Sequence, residues 1–599
     1  MSIQSKHFLN KPDTLVADSL LGVCALNPKL GLDVANKVVY NTTHDRSKVA
    51  LICGGGSGHE PAHAGYVGEG MLSAAVCGAV FASPNPSQVR RGIDLVENNK
   101  GTVIIVKNYT GDILNFGLAK EQYAAAHPDK ADRVKFVIVG DDVSVGRNQG
   151  QIVGRRGLAG TVLVYKIAGA LAHQGGTLDE VHKVAEYVAS RLVTIGVGLE
   201  HCHVPGTAAS KSHLASDEIE IGMGIHNEPG NRRLRPAPPL HELVAQLVEH
   251  LVSTTDPDRS FVPFTGKSDK VAVMVNNLGG TSELEMGAIV SEVKKNLAQR
   301  NIAVERTLAG TFMSSLNMPG FSITLLMLPL DSDSSGPSAS TILDLLDDPV
   351  GAPGWKWTSN AVPLAEPVAP SKRTQAAAVV SPSSTLKATD PKAFIEAVQR
   401  ACEALIDEEP EITRMDNIAG DGDCGLTLRD GATAVLADVK SGKISGEDVV
   451  GSIIAVSKVA EEQMGGTSGA IYSIFFSALA QGLQASASAG TSTVTPSVWS
   501  RALSSALQRL YTYTRARPPS RTLVDPLQAF VETLASSPTL DFSAAVKAAD
   551  VAAVNTRDLQ AKAGRSAYVE GDRLKQERVS DPGAWGVKTI LEGLQDSRA

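Results

Sequence analysis

Two hydrophobic rhythms divide the chain. In the N-terminal part, short β-branched runs end on glycine or polar clusters and are separated by helical spacing. Val49–Cys53 leads into Gly54, Val103–Lys107 into Asn108, Phe136–Val139 into Gly140, Val271–Val275 into Asn276-Asn277-Leu278-Gly279-Gly280, and Ser322–Leu328 into Pro329. Strand, loop and helix in alternation predict an α/β architecture, whose sites form at the carboxyl ends of strands. From Pro391 onward the period changes: Ala, Leu and Val recur at helical spacing in Ala393–Ile406, Val449–Met464, Ser497–Tyr511 and Phe542–Ala563. Few runs there look like strands, which predicts an all-α bundle. Between the two, Leu364–Asp390 is rich in Pro, Ala, Ser and Thr without periodicity, as a flexible linker would be. Domains are therefore expected at residues 1–363 and 391–599, joined by 364–390.

Composition narrows the function classes. The 43% hydrophobic and 20% charged fractions are those of a soluble globular protein. A net charge of −8 offers no basic field for nucleic acid or an anionic membrane, and no apolar run reaches the ~20 residues that span a bilayer. The six cysteines form no CxxC pairs, so reduced thiols and a cytoplasmic location are expected, with neither a disulfide framework nor a zinc site. All thirteen histidines lie between His7 and His250. A catalytic imidazole therefore belongs to the first domain, and the second must act through carboxylates, metal and backbone.

In the second domain, Asp416-Asn417-Ile418-Ala419-Gly420-Asp421-Gly422-Asp423-Cys424-Gly425 sets three carboxylates within one short glycine-hinged stretch. Clustered like charges repel unless cations neutralise them, so the arrangement reads as a divalent-metal site, and all-oxygen ligands suit Mg²⁺. A lone Asp-Gly-Asp is also the composition of a solvated turn that caps the helix after it. Met464-Gly465-Gly466-Thr467-Ser468-Gly469-Ala470 precedes an apolar run and presents helix-start amides to an anion; close helix packing is the alternative. Asp581-Pro582-Gly583-Ala584 is a tight polar turn with a weak signal of its own.

In the first domain, Gly54-Gly55-Gly56-Ser57-Gly58-His59-Glu60-Pro61 follows a strand and suits wrapping a small polar ligand. It is not a dinucleotide loop, because Pro61 stands where the third glycine belongs. Gly266-Lys267-Ser268 ends like a Walker A motif, but Phe261 occupies the position of its first glycine. Lys107-Asn108-Tyr109-Thr110-Gly111-Asp112 brings an ammonium and a carboxylate to one strand end, and Gly222–Gly230 holds His226 among glycines with Glu228 two residues on. A single histidine in such a loop is more often structural than catalytic. Glu200-His201-Cys202-His203 has too few suitably spaced ligands for zinc and reads as a strand-end turn.

The three segments of the second domain, in order, resemble the nucleotide-binding L domain of the dihydroxyacetone (glycerone) kinase family. The loops of the first, with Glu60–Pro86, resemble that family's substrate-binding K domain across nearly the whole stretch before the linker. The resemblance implies a K-type α/β domain of two α/β subdomains followed by an all-α helical barrel, acting with ATP and two Mg²⁺ ions as a homodimer. It implies that Asp416, Asp421 and Asp423 hold the metals. Gly422, Cys424, Thr467, Ser468, Asp581, Pro582 and Gly583 would line the nucleotide with Asp421 and Asp423. The family's Gly-Asp-Arg-Thr segment stands here as Pro519-Ser520-Arg521-Thr522, so Arg521 and Thr522 carry over without the Gly-Asp pair. His226 would attack the carbonyl carbon of dihydroxyacetone and hold it as a hemiaminal, a step open to aldehydes and ketones and closed to glycerol. Asp112 would be the general base. His59 and Lys107 would orient the substrate oxygens, and Gly56, Ser57 and Gly58 would offer backbone contacts. Glyceraldehyde is a further expected acceptor. A lyase that cyclises FAD and a ligand sensor without turnover are the competing readings.

Overall fold

A computed structural model describes residues 4–208, 211–330, 333, 335–356, 386–464, 466–488, 492–562, 574 and 576–595. The chain forms two compact units, Met1–Ala369 and Pro370–Ala599. The stretch expected as a linker lies outside the described residues as far as 385. Its last residues are ordered: Leu386 is buried, Lys387–Ala388 forms a short strand, and Asp390 caps the helix that follows.

Unit 1 carries twelve strands among its described residues, in two mixed sheets. The first holds β1 (Leu30–Asp33), β2 (Val38–Asn41), β3 (Ala50–Ser57), β4 (Ala74–Val80), β5 (Thr102–Lys107) and β6 (Val134–Val139), in the order β1-β2-β4-β3-β5-β6. Its strands β4, β3, β5 and β6 run parallel. The second holds β7 (Leu192–Gly198), β8 (Ile219–Ile221), β9 (Arg232–Leu234), β10 (Lys270–Asn277), β11 (Ala303–Gly310) and β12 (Gly320–Met327), in the order β11-β10-β12-β7-β8-β9. Each predicted strand is present, but two run further at their carboxyl ends than their hydrophobic runs. β3 continues through Gly54-Gly55-Gly56 to Ser57, and β10 includes Asn276 and Asn277. A ladder asks only for backbone groups, so glycine extends it where a ligand or chain must come close.

Alternation fixes the layers. Leu51 and Cys53 of β3 face a core shared with the second sheet and with the helices Gly160–His173 and Leu178–Ser190. Ala50 and Ile52 face the helices Pro86–Leu95 and Thr110–Ala126. The outer face of the second sheet packs on Leu240–Val252 and Glu283–Gln299. Capping boxes at Asn85/Gln88, Thr177/Glu180 and Ser282/Glu285 start three of these helices.

Within the shared core, the Lys166 amine is fully buried and donates to the Leu345 carbonyl at 2.5 Å, near the end of helix Ala339–Asp347. Burial lowers its pKa from 10.5 to about 8. The folded chain then releases a proton that the unfolded chain keeps, so stability is expected to rise with pH from about 8 to 10.5, by about 3 kcal/mol. Calorimetric scans across that window should show this rise in the wild type and a flattened profile in Lys166→Met; equal slopes would contradict the assignment.

Unit 2 is helical, apart from a two-residue parallel pairing of Lys387–Ala388 with Thr493–Val494. Its described helices include Pro391–Ala419, Cys424–Lys440, Val449–Val459, Gly466–Ser488, Pro496–Leu510, Val524–Ser536, Phe542–Asn555 and Pro582–Leu594. They surround an apolar cavity of about 500 Å³ lined by Leu405, Leu428, Phe475, Leu479, Phe530 and Leu591 among others. Two expected boundaries move. Val449–Val459 gives way to a π turn at Ala460–Met464, and the run expected to reach Ala563 ends at Asn555 before a 3₁₀ turn, with Ala563 itself outside the described residues. No described helix is long and apolar enough to cross a membrane, and all six cysteines are free thiols.

Candidate active site

The first site forms where the carboxyl ends of β3 and β5 meet the loop after β8. His59 is fully buried. Its Nδ1 lies 3.0 Å from the Ser314 carbonyl, which can only accept, so Nδ1 carries the proton. Burial, with Lys107 and His226 nearby, holds its pKa well below 6.5 and keeps the ring neutral, leaving Nε2 as an acceptor. That Nε2 lies 3.0 Å from His226 Nε2. On its far side His226 Nδ1 lies 2.9 Å from Glu228 Oε1, and its backbone N–H donates to Glu228 Oε2 at 2.8 Å. Burial opposes the charge on Glu228, but the hydrogen bonds and charge of His226 outweigh it and set the carboxyl at about 2. The Glu228 carboxylate can only accept, so His226 Nδ1 carries a proton, and the two facing Nε2 atoms can hold one proton between them.

Aromatic rings pin this histidine pair. Phe81 stacks on His59 with centroids 5.2 Å apart and meets His226 edge-on at 5.0 Å; Tyr109 meets His226 edge-on at 4.7 Å. The loop itself is held by Arg156, which donates to the Gly222 carbonyl at 2.6 Å and pairs with Asp142 at 2.7 Å. Beside the rings, Lys107 is fully buried at the end of β5, its Nζ without a hydrogen-bond partner and 5.4 Å from the Tyr109 ring centre. Asp112, in the first turn of Thr110–Ala126, is buried and accepts a short hydrogen bond from Ser83. Burial raises its pKa, against the pull of Lys107. An amine without a hydrogen-bond partner, a basic carboxylate and an imidazole pair thus lie within electrostatic reach of one another. The glycine loop contributes less than its composition suggests: the Gly58 N–H is taken by Glu60 at 3.0 Å, and the Ser57 hydroxyl donates to the Gly78 carbonyl at 2.9 Å.

In unit 2 the three aspartates converge, with carboxylate oxygens from Asp416, Asp421 and Asp423 all within 4.8 Å of one another. Asp416 belongs to the last turn of helix Pro391–Ala419 rather than to the turn, and its Oδ2 accepts from the Gly422 and Cys424 N–H groups at 3.0 Å each. It therefore folds the loop it shares. Gly422 has φ +85°, and a Cβ there would stand 2.4 Å from Asn417 Oδ1, so only glycine fits. Around the cluster, the Cys424 thiol, raised to about 12 by burial and by the nearby Asp416 and Asp581, hydrogen-bonds Ser468 in the first turn of Gly466–Ser488; Thr467 beside it is exposed. Asp581 caps the helix that begins Pro582-Gly583 and accepts from Ala584 N–H at 2.9 Å. Burial raises it to about 6, with Arg521 opposing and Asp525 and Asp416 adding to the rise. Arg521, fully buried at φ +59°, leaves Nε and Nη1 without hydrogen-bond partners, Nη1 lying 3.8 Å from Asp581. Clustered hard oxygens, a helix start and a guanidinium with two nitrogens still open to hydrogen bonds fit Mg²⁺ and phosphate oxygens.

Residues 21–354 match the Dak1 domain and 418–596 the DAK2 domain. A dihydroxyacetone kinase of Komagataella pastoris is 43% identical, the alignment covering 99% of each chain. The chain belongs to the dihydroxyacetone kinase family. Another relative, the triokinase/FMN cyclase of Homo sapiens, is 38% identical over 98% of this chain and 99% of its own. Among solved structures, the dihydroxyacetone kinase from C. freundii in complex with AMP-PNP and Mg²⁺ aligns with a TM-score of 0.60 and 31% identity, covering 98% of this chain and 99% of that one.

Several members of the two clusters had no recognisable motif of their own. Phe81 and Ser83 lie in the Glu60–Pro86 stretch but were given no role of their own, and Ser314 comes from a loop far along the chain; all three reach the histidines or Asp112 only through the fold. Asp525 was legible in part: it accepts from Ser520 N–H at 2.9 Å, Ser520 Oγ at 2.9 Å and Thr522 N–H at 2.8 Å. An acid three residues after Ser/Thr at a helix start is a capping pattern. It closes the turn that the missing Gly-Asp pair left open, and it engages the Thr522 hydroxyl.

Proposed function

We infer that this protein is an ATP-dependent kinase that converts dihydroxyacetone to its phosphate, with glyceraldehyde as a second acceptor. The observation that carries this reading is the Glu228–His226–His59 chain opening on the unpaired Lys107 ammonium and the Asp112 carboxylate. Such a set captures a carbonyl: with the shared proton on His59 Nε2, the lone pair of His226 Nε2 bonds the carbonyl carbon and the π pair moves to oxygen. The proton shared between the two imidazoles passes to that oxygen, giving a hemiaminal hydroxyl, while Nδ1–H stays paired with Glu228. Lys107 orients a substrate oxygen. Asp112 then takes the proton of the terminal hydroxyl as its oxygen bonds the γ-phosphorus and ADP leaves, a role its raised basicity suits.

Asp416, Asp421 and Asp423 would hold two Mg²⁺ ions, whose charge supplies electrostatic stabilisation to the phosphates. Arg521, the amides at Gly466–Ser468 and the turn Asp581–Gly583 would position the nucleotide. The helices around the apolar cavity are read as the staves of the expected barrel. A cytoplasmic homodimer completes the proposal.

The test is formation of dihydroxyacetone phosphate from ATP, Mg²⁺ and dihydroxyacetone, with glycerol as control. Turnover of dihydroxyacetone and none of glycerol is expected; equal turnover of both would refute carbonyl capture. The cyclase named in the human relative provides a second reading, checked by incubating the protein with FAD and Mn²⁺ in the absence of dihydroxyacetone.

A further inference from the structure

His63 lies beneath the first site and takes no part in the chemistry above. It is 2% exposed, and its Nε2 has no hydrogen-bond partner. Its Nδ1 lies 2.8 Å from the Tyr165 hydroxyl and 3.3 Å from the Cys53 thiol, and these two lie 2.5 Å from each other. Burial holds the thiol and the phenol protonated and the imidazole neutral. One ring nitrogen of His63 is therefore N–H and the other a lone pair.

What faces Nε2 decides which. A Cβ built on Gly55 would stand 3.1 Å from His63 Nε2 and 3.2 Å from Asp112 Oδ2. Both atoms thus flank the same point beside Gly55. Asp112 Oδ1 is already held by Ser83. A lone pair aimed at a carboxylate repels it, whereas an N–H attracts it, so the carboxylate selects the tautomer protonated on Nε2. Tyr165 then donates to Nδ1 and Cys53 to the Tyr165 oxygen, and every proton in the chain has an acceptor.

We propose that His63 is a positioning residue for the phosphoryl-transfer step: its Nε2–H faces the Asp112 carboxylate past Gly55 and holds it through the oxygen that Ser83 does not bind. Cys53 and Tyr165 serve to fix its tautomer. The inference rests on the reading of Asp112 as general base. The other groups facing Asp112 are Lys107 from β5 and His226 from the loop after β8, with Cys53 of β3 and Tyr165 of helix Gly160–His173 behind His63. Burial pushes the Asp112 pKa up, and a second donor opposes that rise. Removing the donor must shift the acidic limb of kcat to higher pH.

The experiment is the pH profile of kcat for the full-length wild type, His63→Phe, His63→Gln, Tyr165→Phe and Asp112→Asn, with Mg·ATP and dihydroxyacetone. His63→Phe is expected to move the acidic limb up by about one pH unit and lower kcat at neutral pH about tenfold, with KM for dihydroxyacetone changed little. His63→Gln, which keeps an N–H donor, should restore most of the limb. Tyr165→Phe should move it the same way by a smaller amount, and decides the matter if His63→Phe does not fold. An unmoved limb in His63→Phe or Tyr165→Phe, with Asp112→Asn inactive, overturns the role of His63 and leaves the base assignment standing. Turnover retained by Asp112→Asn overturns the base assignment, and this inference with it.

Discussion

His226→Ala is expected to lower kcat for dihydroxyacetone by on the order of 10³-fold, about 4 kcal/mol in the barrier, while leaving affinity for Mg·ATP unchanged. In the proposed capture the His226 imidazole fixes the carbonyl carbon, and without it the terminal hydroxyl would have no defined approach to phosphorus. A steady-state assay with separate titrations of the two substrates checks this, and activity within a few-fold of the wild type would rule out covalent capture. The same change acts on stability. Glu228 titrates at about 2 in the folded chain, depressed from 4.5 by its histidine partner. An acid with a depressed folded pKa contributes stability that is present above the unfolded value and lost as pH falls from about 4.5 through about 2. In His226→Ala that contribution is reduced at neutral pH, because a half-buried carboxylate has lost its side-chain hydrogen-bond partner. Melting curves at pH 7 and pH 3 should therefore differ less between variant and wild type at the lower pH.

Asp423→Asn is expected to lower kcat/KM for Mg·ATP by on the order of 10²- to 10³-fold, with dihydroxyacetone binding unaffected. This aspartate isolates the metal's contribution better than its neighbours do. Its exposed side chain makes no capping hydrogen bond to helix Cys424–Lys440, so the substitution removes a charge and little else. Asp416, by contrast, binds two backbone N–H groups of the loop, and changing it would unfold the site and remove a ligand together. Calorimetric titration of ATP at several Mg²⁺ concentrations distinguishes the cases: weaker coupling between metal and nucleotide is the expected outcome, and wild-type coupling would remove Asp423 from the metal set.

The chemistry-bearing segments were legible because each is local. Three aspartates within eight residues, and a histidine with an acid two residues on, keep their proximity whatever the fold does, since a short loop cannot separate them. The two periods of hydrophobicity likewise announced an α/β part and a helical part, because burial on a strand and on a helix repeats at different intervals. Boundaries were less secure: glycines extended β3 past its apolar run, and Asp416 fell in a helix rather than a turn. Neither depends on hydrophobic period.

Sequence alone determined in which half each candidate residue type lies, since all thirteen histidines precede the helical part and the aspartate cluster lies within it. Only the tertiary structure decided their states. His59 and His226 are separated by 167 residues, and the 3.0 Å between their rings exists because loops of two sheets close on one another within unit 1. Lys107 has no counter-ion in hydrogen-bond range, Arg521 is buried with two nitrogens unpaired, and Asp112 is basic because it is dry. The physical reason is that protonation and reactivity depend on desolvation and on neighbours brought from elsewhere in the chain, and a one-dimensional pattern contains neither.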